Sequence, residues 1–402
     1  MNSIPYGRQH ITDDDIAAVN AVLRSSHLTQ GPKIGELEEA FARYVGATYA
    51  VAVANGTAAL HLCCMALNVG PGTRVITTPI TFSASANCVR YCGGEVHFAD
   101  IDPDNVLLDP KAVRSLLESH PKGYFSGIIP VDFAGYPVDM AAFRELADEF
   151  GLWIIEDSCH APGATFVDKN GVTHRCGDGS LAELAIFSFH PVKHIAAGEG
   201  GMITTNDKEL YHHLLRLRTH GITNKPEELT QPYPDEPERG GWYMELQELG
   251  YNYRLTDIQA ALALSQMNRV DAMLDRRREL AARYDAAFSE AATSGLPIQI
   301  IVPPAGIGHA YHLYVIQTPD RKGLYDSLRT KNIFAQVHYI PVHLMPYYRQ
   351  FGWKPGDFPH AEHYYAQGLS LPLFPTLTDD EQNYVINQVL GFLHVKSFIN
   401  PN

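Results

Sequence analysis

The residues best suited to covalent chemistry lie at the end of an apolar run. Leu184–Phe189 predicts a buried strand, and Ser188–Lys193 reads Ser-Phe-His-Pro-Val-Lys before the glycine-rich turn Gly198–Gly201. A lysine at the end of a buried strand is partly desolvated, which lowers its pKa and makes its amine nucleophilic. Lys193 could therefore form a Schiff base with an aldehyde. Most lysines are solvated surface charges, so this interpretation depends on the other motifs.

A phosphate site is predicted where the first strand candidate meets a helix. Asn55–Leu60 reads Asn-Gly-Thr-Ala-Ala-Leu and opens that helix. Free N–H groups and the positive end of a helix bind phosphate, and Thr57 adds a hydroxyl donor. An ordinary capped helix is an equally good interpretation of this segment alone. The segment lacks Gly-x-Gly-x-x-Gly, so an NAD-linked oxidoreductase loses its main support.

A carboxylate is expected at the end of another buried strand. Ile154–His160 reads Ile-Ile-Glu-Asp-Ser-Cys-His, which puts Asp157 at the strand end. The aldehyde pyridoxal 5'-phosphate (PLP) is an electron sink while its pyridine nitrogen is protonated, and an ionised aspartate beside that nitrogen keeps it so. Such a charge-assisted contact contributes about 1.5–3 kcal/mol. Asp157 alone could also be a helix N-cap. His160 could contact the cofactor ring or be a packed polar residue.

Two more residues fit the same cofactor. Phe82, in the segment Thr78–Ala84 that ends the second strand, could stack on the pyridine ring or be a core aromatic. Ser188, at the end of its strand, could donate a hydrogen bond to the cofactor phosphate. Lysine, carboxylate, aromatic ring and phosphate site together predict a PLP site.

These residues fall on a regular alternation of strands and helices. The strand candidates are Tyr49–Ala54, Arg74–Thr78, Glu95–Ile101, Gly127–Phe133, Leu152–Asp157, Leu184–Phe189 and Gly201–Thr205. The intervening helix candidates include Thr57–Leu67, Thr81–Tyr91, Pro110–Ser119 and Asp139–Phe150. Such alternation predicts an α/β fold with a mostly parallel sheet and helices on both faces. Ligands of these sheets bind beyond the carboxyl ends of the strands.

The second half of the chain is organised differently. Thr223–Glu248 is rich in proline, glycine and acidic residues and predicts a long exposed loop. Thr256–Phe288 predicts one long helix, followed by strands at Tyr311–Gln317 and Ala335–Tyr339 and a final helix at Asp379–Leu393. This pattern is typical of an α+β unit.

Composition excludes several classes of protein. The 402 residues contain 31 Lys and Arg against 45 Asp and Glu, a net charge of -14, which argues against nucleic-acid and membrane partners. No apolar stretch approaches the roughly 20 residues that span a bilayer, and we expect no signal peptide. The 6 cysteines lack Cys-x-x-Cys spacing and predict free thiols, and the 19 histidines lack His-Glu-x-x-His, so we expect no metal. A cytoplasmic protein is expected.

The ordered motifs identify a family resemblance. Gly-Thr after the first strand, Thr-Pro-x-Thr-Phe, Glu-Asp-Ser-x-His-Ala, Ser-Phe-His-Pro-x-Lys, Gly-Glu-Gly-Gly and Gly-Tyr-Asn-Tyr-Arg-Leu occur in this order. The chain thus resembles the DegT/DnrJ/EryC1/StrS nucleotide-sugar aminotransferases over nearly its whole length. The resemblance implies the PLP-dependent transferase fold type I. Residues 1–255 would form a large domain with an N-terminal arm and a mostly parallel seven-stranded sheet, and residues 256–402 a smaller C-terminal α+β domain.

The resemblance also implies roles for individual residues. Lys193 would be the Schiff-base lysine and proton shuttle, and Asp157 would pair with the pyridinium nitrogen. The other cofactor contacts would be Phe82 and His160 at the ring and Gly56, Thr57, Ala58 and Ser188 at the phosphate. Asn252 would reach the phosphate in a neighbouring subunit, which implies a homodimer with shared active sites. Arg254 would lie near substrate or form a structural salt bridge.

Four segments are most similar to the PseC subfamily of this family. They are Tyr6, Leu28–Gly31, Thr77–Ile80 and Ala335–Tyr339. The similarity implies a sugar-nucleotide cleft lined by Tyr6, His27, Leu28, Thr29, His338 and Tyr339. The same residues could instead form a terminus, a turn and a core strand. Pro341–Leu344 is also frequent among relatives that use other sugars, which weakens the subfamily assignment.

The expected activity is PLP-dependent transamination. The amino group of L-glutamate would pass to the C4 keto group of a UDP-linked 4-keto-6-deoxy-N-acetylhexosamine, forming UDP-4-amino-4,6-dideoxy-N-acetyl-β-L-altrosamine for pseudaminic acid synthesis. The alternatives are a C4 or C3 transaminase for another nucleotide sugar, carrying dTDP or GDP, and a non-catalytic PLP-binding regulator. Sugar dehydratases of the family replace the lysine, and this chain keeps it.

Overall fold

The computed structural model describes residues 3–230 and 241–399. Part of the predicted loop Thr223–Glu248, residues 231–240, lies outside the described residues. The strands are β1 (Ile4–Pro5), β2 (Tyr49–Val53), β3 (Arg74–Thr77), β4 (Glu95–Phe98), β5 (Gly127–Ile129), β6 (Trp153–Asp157), β7 (Thr165–Val167), β8 (Thr173–Arg175), β9 (Leu184–Ser188), β10 (Gly201–Thr205), β11 (Ile222–Thr223), β12 (Glu245–Leu246), β13 (Gln299–Ile300), β14 (Tyr314–Gln317), β15 (Ile333–Phe334) and β16 (Gly368–Leu371).

The α-helices alternate with these strands in the first half and dominate the second. They are α1 (Asp13–Leu23), α2 (Pro32–Val45), α3 (Gly56–Ala66), α4 (Ala84–Tyr91), α5 (Pro110–Glu118), α6 (Met140–Phe150), α7 (Lys208–Arg218), α8 (Asp257–Met267), α9 (Val270–Thr293), α10 (Arg321–Thr330), α11 (Pro346–Arg349), α12 (Pro359–Gln367) and α13 (Asp379–Ile399). Short 3₁₀ turns cover Phe133–Gly135, Pro226–Glu228 and Val342–Leu344.

A seven-stranded sheet forms the centre of the molecule. Its order is β2-β10-β9-β6-β5-β3-β4, and β10 runs antiparallel to both of its neighbours. The strands are short runs of buried β-branched and aliphatic residues, which suits a sheet covered on both faces. All seven predicted strands are present, which confirms the mostly parallel α/β fold. The predicted strands Glu95–Ile101 and Gly127–Phe133 are too long, because β4 ends at Phe98 and β5 at Ile129.

The register of two neighbouring strands brings the predicted reactive groups to one edge. In the parallel pair β6–β9, Asp157 lies opposite Ile186, two residues before the end of β9 at Ser188. The carboxyl ends of both strands therefore open on the same side. The turn that carries Lys193 follows immediately, with the Lys193 N–H donating to the His190 carbonyl at 2.8 Å.

The predicted helix Thr256–Phe288 is wrong as one element. The structure has α8 and α9, separated at Asn268 and Arg269. Arg269 leaves the helical conformation, and its guanidinium binds the buried carboxylate of Asp15, with the shortest contact at 2.6 Å. The break lets α8 pack against α1 and α2 while α9 continues to the C-terminal strands.

The predicted strand Ala335–Tyr339 is also wrong, and Tyr311–Gln317 is shorter than predicted. The strand β15, which ends just before residue 335, pairs with β1. Among the described residues, the segment 335–339 itself makes a single bridge, from Gln336 to Ser370. Instead of a strand partner, the His338 ring meets the Ser370 hydroxyl at 2.9 Å and its carbonyl accepts from Tyr364 at 2.9 Å. The segment is thus an anchored irregular connection.

The predicted exposed loop Thr223–Glu248 is closed at its base. The antiparallel pair β11–β12 joins Thr223 to Glu245, and both of these residues are buried. The residues that follow are exposed, among them Leu246 and Leu249.

Two large hydrophobic clusters form most of the core. One surrounds the central sheet, and the other joins α9, α10 and α13 to β14 and β16. The domain boundary after residue 255 stays a prediction. All six cysteines are free thiols. Within the described residues, no helix combines the length and apolar character needed to cross a membrane.

Candidate active site

One cleft collects most of the predicted site residues. This main cleft has a volume of about 910 Å³ and opens at the carboxyl ends of β6 and β9, beside the start of α3. Among the predicted residues, it is lined by Tyr6, Gly56, Thr57, Ala58, Phe82, Asp157, His160, Ser188, Lys193, His338 and Tyr339. These positions span most of the chain, so the fold brings together what the sequence separates.

Lys193 contributes a buried amine to the main cleft. Burial lowers its pKa to about 8, and the nearby Cys159 and Asp157 offset part of that effect. The amine nitrogen lies 3.4 Å from Nε2 of His312, which is buried and whose pKa burial lowers well below its usual value. A neutral imidazole beside the amine adds no positive charge. Lys193 can therefore exchange a proton near neutral pH.

Asp157 presents its carboxylate from the end of β6 and is held on both oxygens. The Ser85 hydroxyl donates to Oδ2 at 2.7 Å, and the Cys159 N–H donates to Oδ1 at 3.2 Å. Ser85 lies in the first turn of α4, so helix and strand fix the carboxylate jointly. These bonds orient a negative charge into the cleft.

The tautomer of His160 is set by the backbone. The Ala134 N–H donates to Nδ1 at 3.2 Å, so the neutral ring carries its proton on Nε2, 3.3 Å from the Tyr339 hydroxyl. Burial, with a smaller contribution from Lys193, holds the pKa of His160 well below its usual value. His160 is therefore a neutral donor toward Tyr339.

The start of α3 gives the main cleft an end suited to an anion. The Asn55 side chain accepts from the Ala58 N–H at 2.8 Å and caps the helix. The N–H groups of Gly56 and Thr57 have no intrahelical acceptor, because they are the first two of the helix. A Cβ on Gly56 would come within 3.1 Å of the Ser188 side chain, so glycine keeps this end open. The predicted phosphate residues are thus adjacent, although Ala58 already uses its N–H.

The entrance of the main cleft is aromatic. Phe82 is 59% exposed, and its ring lies 6.2 Å from the Tyr339 ring. The Tyr6 ring lies 5.1 Å from the His338 ring. Burial lowers the pKa of His338 to about 3, so this imidazole is neutral. Aromatic rings and a neutral imidazole at the entrance can stack a flat ring and hydrogen-bond a sugar.

Five predicted residues do not line the main cleft. His27, Leu28 and Thr29 precede α2, and Asn252 and Arg254 lie beside the Thr219 and Val53 backbone through isolated bridges. Arg254 instead lines a second cleft of about 260 Å³ with Gln30, Glu38 and Arg218. Within one chain these predicted residues remain apart from Lys193.

Sequence reasoning missed several residues of the main cleft. They are Ser85, Cys159, His190, Glu199, Tyr253 and His312. Ser85 follows Phe82 by three positions and could have been found from helical spacing. His312 lies 119 positions from Lys193, and only the tertiary fold brings the two together.

The described groups fit PLP. The main cleft offers an amine with a lowered pKa, a doubly held carboxylate and a helix N-terminus with free N–H groups. These correspond to the aldehyde, the pyridine nitrogen and the phosphate of that cofactor. A Cβ added at Gly56 would narrow the end of the main cleft beside α3. A glycine at this position is therefore consistent with a ligand that approaches the backbone closely.

Comparison with known proteins identifies relatives along the whole chain. The model of the DegT/DnrJ/EryC1/StrS aminotransferase family matches residues 9–390. The spore coat polysaccharide biosynthesis protein SpsC of Bacillus subtilis (strain 168) is 39% identical over 394 residues, covering 96% of each chain.

Solved structures agree in fold. Helicobacter pylori PseC, an aminotransferase involved in the biosynthesis of pseudaminic acid, is 29% identical with a TM-score of 0.85, covering 98% of this chain and 100% of PseC. Spr1654 of Streptococcus pneumoniae in its PLP form is 28% identical with a TM-score of 0.85, covering 99% and 100%. These relatives support the fold type I assignment and indicate dependence on pyridoxal phosphate.

Proposed function

The chain belongs to the DegT/DnrJ/EryC1/StrS aminotransferase family, and from this membership we propose its substrates. The proposed reaction moves the amino group of L-glutamate to the C4 keto group of a UDP-linked 4-keto-6-deoxy-N-acetylhexosamine. The product would be UDP-4-amino-4,6-dideoxy-N-acetyl-β-L-altrosamine. The main support for the proposal is that the Lys193 amine lies in the same cleft as Asp157 and the start of α3.

Each reactive group has a defined task in this proposal. When bound, PLP supplies an electron sink for the negative charge that develops at the carbon losing its proton. Asp157 would hold a positive charge on the pyridine nitrogen, and the N–H groups of Gly56 and Thr57 would hold the phosphate. Lys193 would take a proton at Nζ and return it, because a pKa of about 8 suits both directions near neutral pH.

The sugar specificity is supported less directly. The fold of PseC and the presence of Tyr6, His338 and Tyr339 in the main cleft favour a UDP-linked L-arabino 4-keto sugar. SpsC is named for spore coat polysaccharide, which favours the wider alternative of a C4 or C3 transaminase for another nucleotide sugar.

We also propose a homodimer with shared active sites. His27, Leu28, Thr29 and Asn252 are exposed in the single chain, and Arg254 is only half-buried. Nearby apolar side chains are exposed as well, with Trp242 at 76% and Leu249 at 79%. A second copy that covered this surface would bring Asn252 to the phosphate end of the partner's cleft.

The test is mass spectrometry of products from L-glutamate and a panel of 4-keto nucleotide sugars. The panel contains the UDP-linked L-arabino and D-xylo epimers and dTDP-4-keto-6-deoxyglucose, and Lys193→Ala is the control. We expect amination of the UDP L-arabino compound and none with Lys193→Ala. Preference for another sugar supports the wider transaminase alternative. Absence of amination by PLP-loaded enzyme favours the regulator.

A further inference from the structure

A second group of ionisable side chains lies beneath the main cleft. Asp132, Glu156 and Cys176 are all buried, and their oxygen and sulfur atoms lie within 4.8 Å of one another. Glu156 immediately precedes Asp157 on β6, and alternation along the strand directs the two side chains to opposite faces of the sheet. The cluster is therefore separated from the main cleft by one strand.

The two carboxylates differ in their donors. Asp132 accepts from the Ser158 hydroxyl at 2.7 Å and from the Val138 N–H at 2.9 Å, and Cys176 and Glu156 are further hydrogen-bond partners of its carboxyl. Glu156 accepts from the Gly177 N–H at 3.0 Å through Oε2, while its Oε1 has no hydrogen-bond partner in the part of the chain that the structure describes. A proton on Oε1 would turn this oxygen into a donor, and the carboxyl of Asp132 is the acceptor within hydrogen-bonding reach of Glu156.

The two carboxylates are buried beside other acidic groups. Glu156 is 4% exposed, and no ion pair within residues 3–230 and 241–399 joins it or Asp132 to a cation. The ionisable groups that act on Glu156 are Asp132, Cys176 and Asp178, the last lying 3.2 Å from His174. Two buried carboxylates at this separation cannot both remain ionised. Burial, followed by repulsion from Asp132, raises the pKa of Glu156 well above its usual value.

The cluster is connected to the turn that carries the reactive residues. Ser158, bound to Asp132, follows Asp157 directly, and the Asp132 N–H donates to the Asp157 carbonyl at 3.1 Å. Two residues after Asp132, the Ala134 N–H holds the His160 ring. Movement of Asp132 would therefore displace both Asp157 and His160.

We propose that Glu156 and Asp132 hold one proton between them, carried on Glu156 Oε1, and that this singly charged pair positions the Asp157–His160 turn. Glu156 is thus a positioning residue that touches neither cofactor nor substrate. The positioning part rests on the proposed function, whereas the shared proton does not. A divalent cation bound by Asp132, Glu156 and Cys176 is the competing explanation of the same cluster.

The proton is tested with Glu156→Gln, whose amide reproduces the shape and the donor of a protonated carboxyl. Because the folded state holds a proton that the unfolded state releases above its ordinary pKa of 4.5, wild-type stability should fall progressively as pH rises above that value. The unfolding temperature of Glu156→Gln should rise relative to wild type over this range. The exposed Glu39→Gln should show no such trend. The infrared carbonyl band of a protonated carboxyl should disappear only in Glu156→Gln.

Positioning is tested by the affinity of each variant for PLP. Glu156→Leu, which cannot bond Asp132, should bind PLP about tenfold more weakly, and Glu156→Gln should restore the wild-type value. Equal pH trends for wild type and Glu156→Gln with no lost infrared band would overturn the shared proton. A stoichiometric metal lost in Glu156→Gln would overturn it as well. Equal PLP affinity of all three proteins would overturn the positioning role.

Discussion

Among single residues, Lys193 and its ionisation matter most for the proposed reaction. Its pKa of about 8 results from burial in a cleft whose neighbouring histidines are neutral. The sequence predicted this lysine because an apolar strand leads directly to it. It could not predict His312, whose 3.4 Å contact forms only when a distant segment folds over the cleft.

Lys193 should react with an amine reagent at a lower pH than an exposed lysine. Only the neutral amine reacts, so labelling of Lys193 in the PLP-free enzyme should rise about tenfold per pH unit and level off above about 8. Lys322, 85% exposed and paired with Asp326, is the internal control, since that partner raises its pKa. Peptide mass spectrometry at a series of pH values measures the labelling of both lysines. If the pH dependence of Lys193 labelling had its midpoint at 10.5, the ordinary pKa of a lysine, the lowered pKa of Lys193 would be contradicted.

At the element scale, the phosphate end depends on how closely β10 approaches the start of α3. A Cβ on Gly201 would lie 2.7 Å from the Asn55 carbonyl carbon and 2.9 Å from the Gly56 nitrogen. These are backbone atoms, so a side chain cannot simply rotate away. The composition of Gly198–Gly201 predicted a turn. The composition could not predict that this turn lies against Asn55, because the two segments are far apart in the chain.

Gly201→Ala should therefore damage the phosphate end. Overpacking of this kind costs about 1–3 kcal/mol, and we expect weaker PLP binding by about tenfold or more. Gly35→Ala in α2 is the matched control, because a Cβ there meets nothing within 4 Å. Titration with PLP and thermal unfolding measure both variants. Equal PLP affinity of Gly201→Ala and Gly35→Ala would show that PLP binding does not need the close approach of β10 to the start of α3.

The elements that were predicted poorly share a physical cause. The seven central strands are buried on both faces, and their apolar runs identify them. The α8–α9 break depends instead on the ion pair between Arg269 and Asp15, 254 positions apart. Segment 335–339 is fixed by Ser370 and Tyr364 rather than by a strand ladder. Local patterns do not contain such long-range contacts.

At the scale of the whole molecule, one chain leaves part of the predicted site outside its own main cleft. Eleven predicted residues line that cleft, whereas Asn252, Arg254 and the His27–Thr29 segment do not. The net charge of -14 also means that phosphate must be held by local geometry. The family resemblance implies a second copy of the chain, and we propose that this copy brings these residues to the main cleft.

Shared sites predict complementation between two inactive variants. Lys193→Ala and Asn252→Ala should each have little activity alone. Co-expressed, they should recover about a quarter of wild-type activity, because half of randomly paired dimers combine unlike chains and each such dimer has one intact site. Co-purification through two different affinity tags verifies the mixed dimer. Mixed dimers without recovered activity would mean that Asn252 acts within its own chain.

The proposal that Lys193 binds PLP covalently is tested most directly by locating the attachment site of PLP. The purified enzyme is incubated with PLP, reduced with borohydride and digested, and the modified peptide is sequenced by mass spectrometry. We predict a phosphopyridoxyl group on Lys193 at a ratio near one per chain. The visible absorbance of the enzyme before reduction should change when L-glutamate is added. Modification at another lysine, or none at Lys193, would contradict the proposed site.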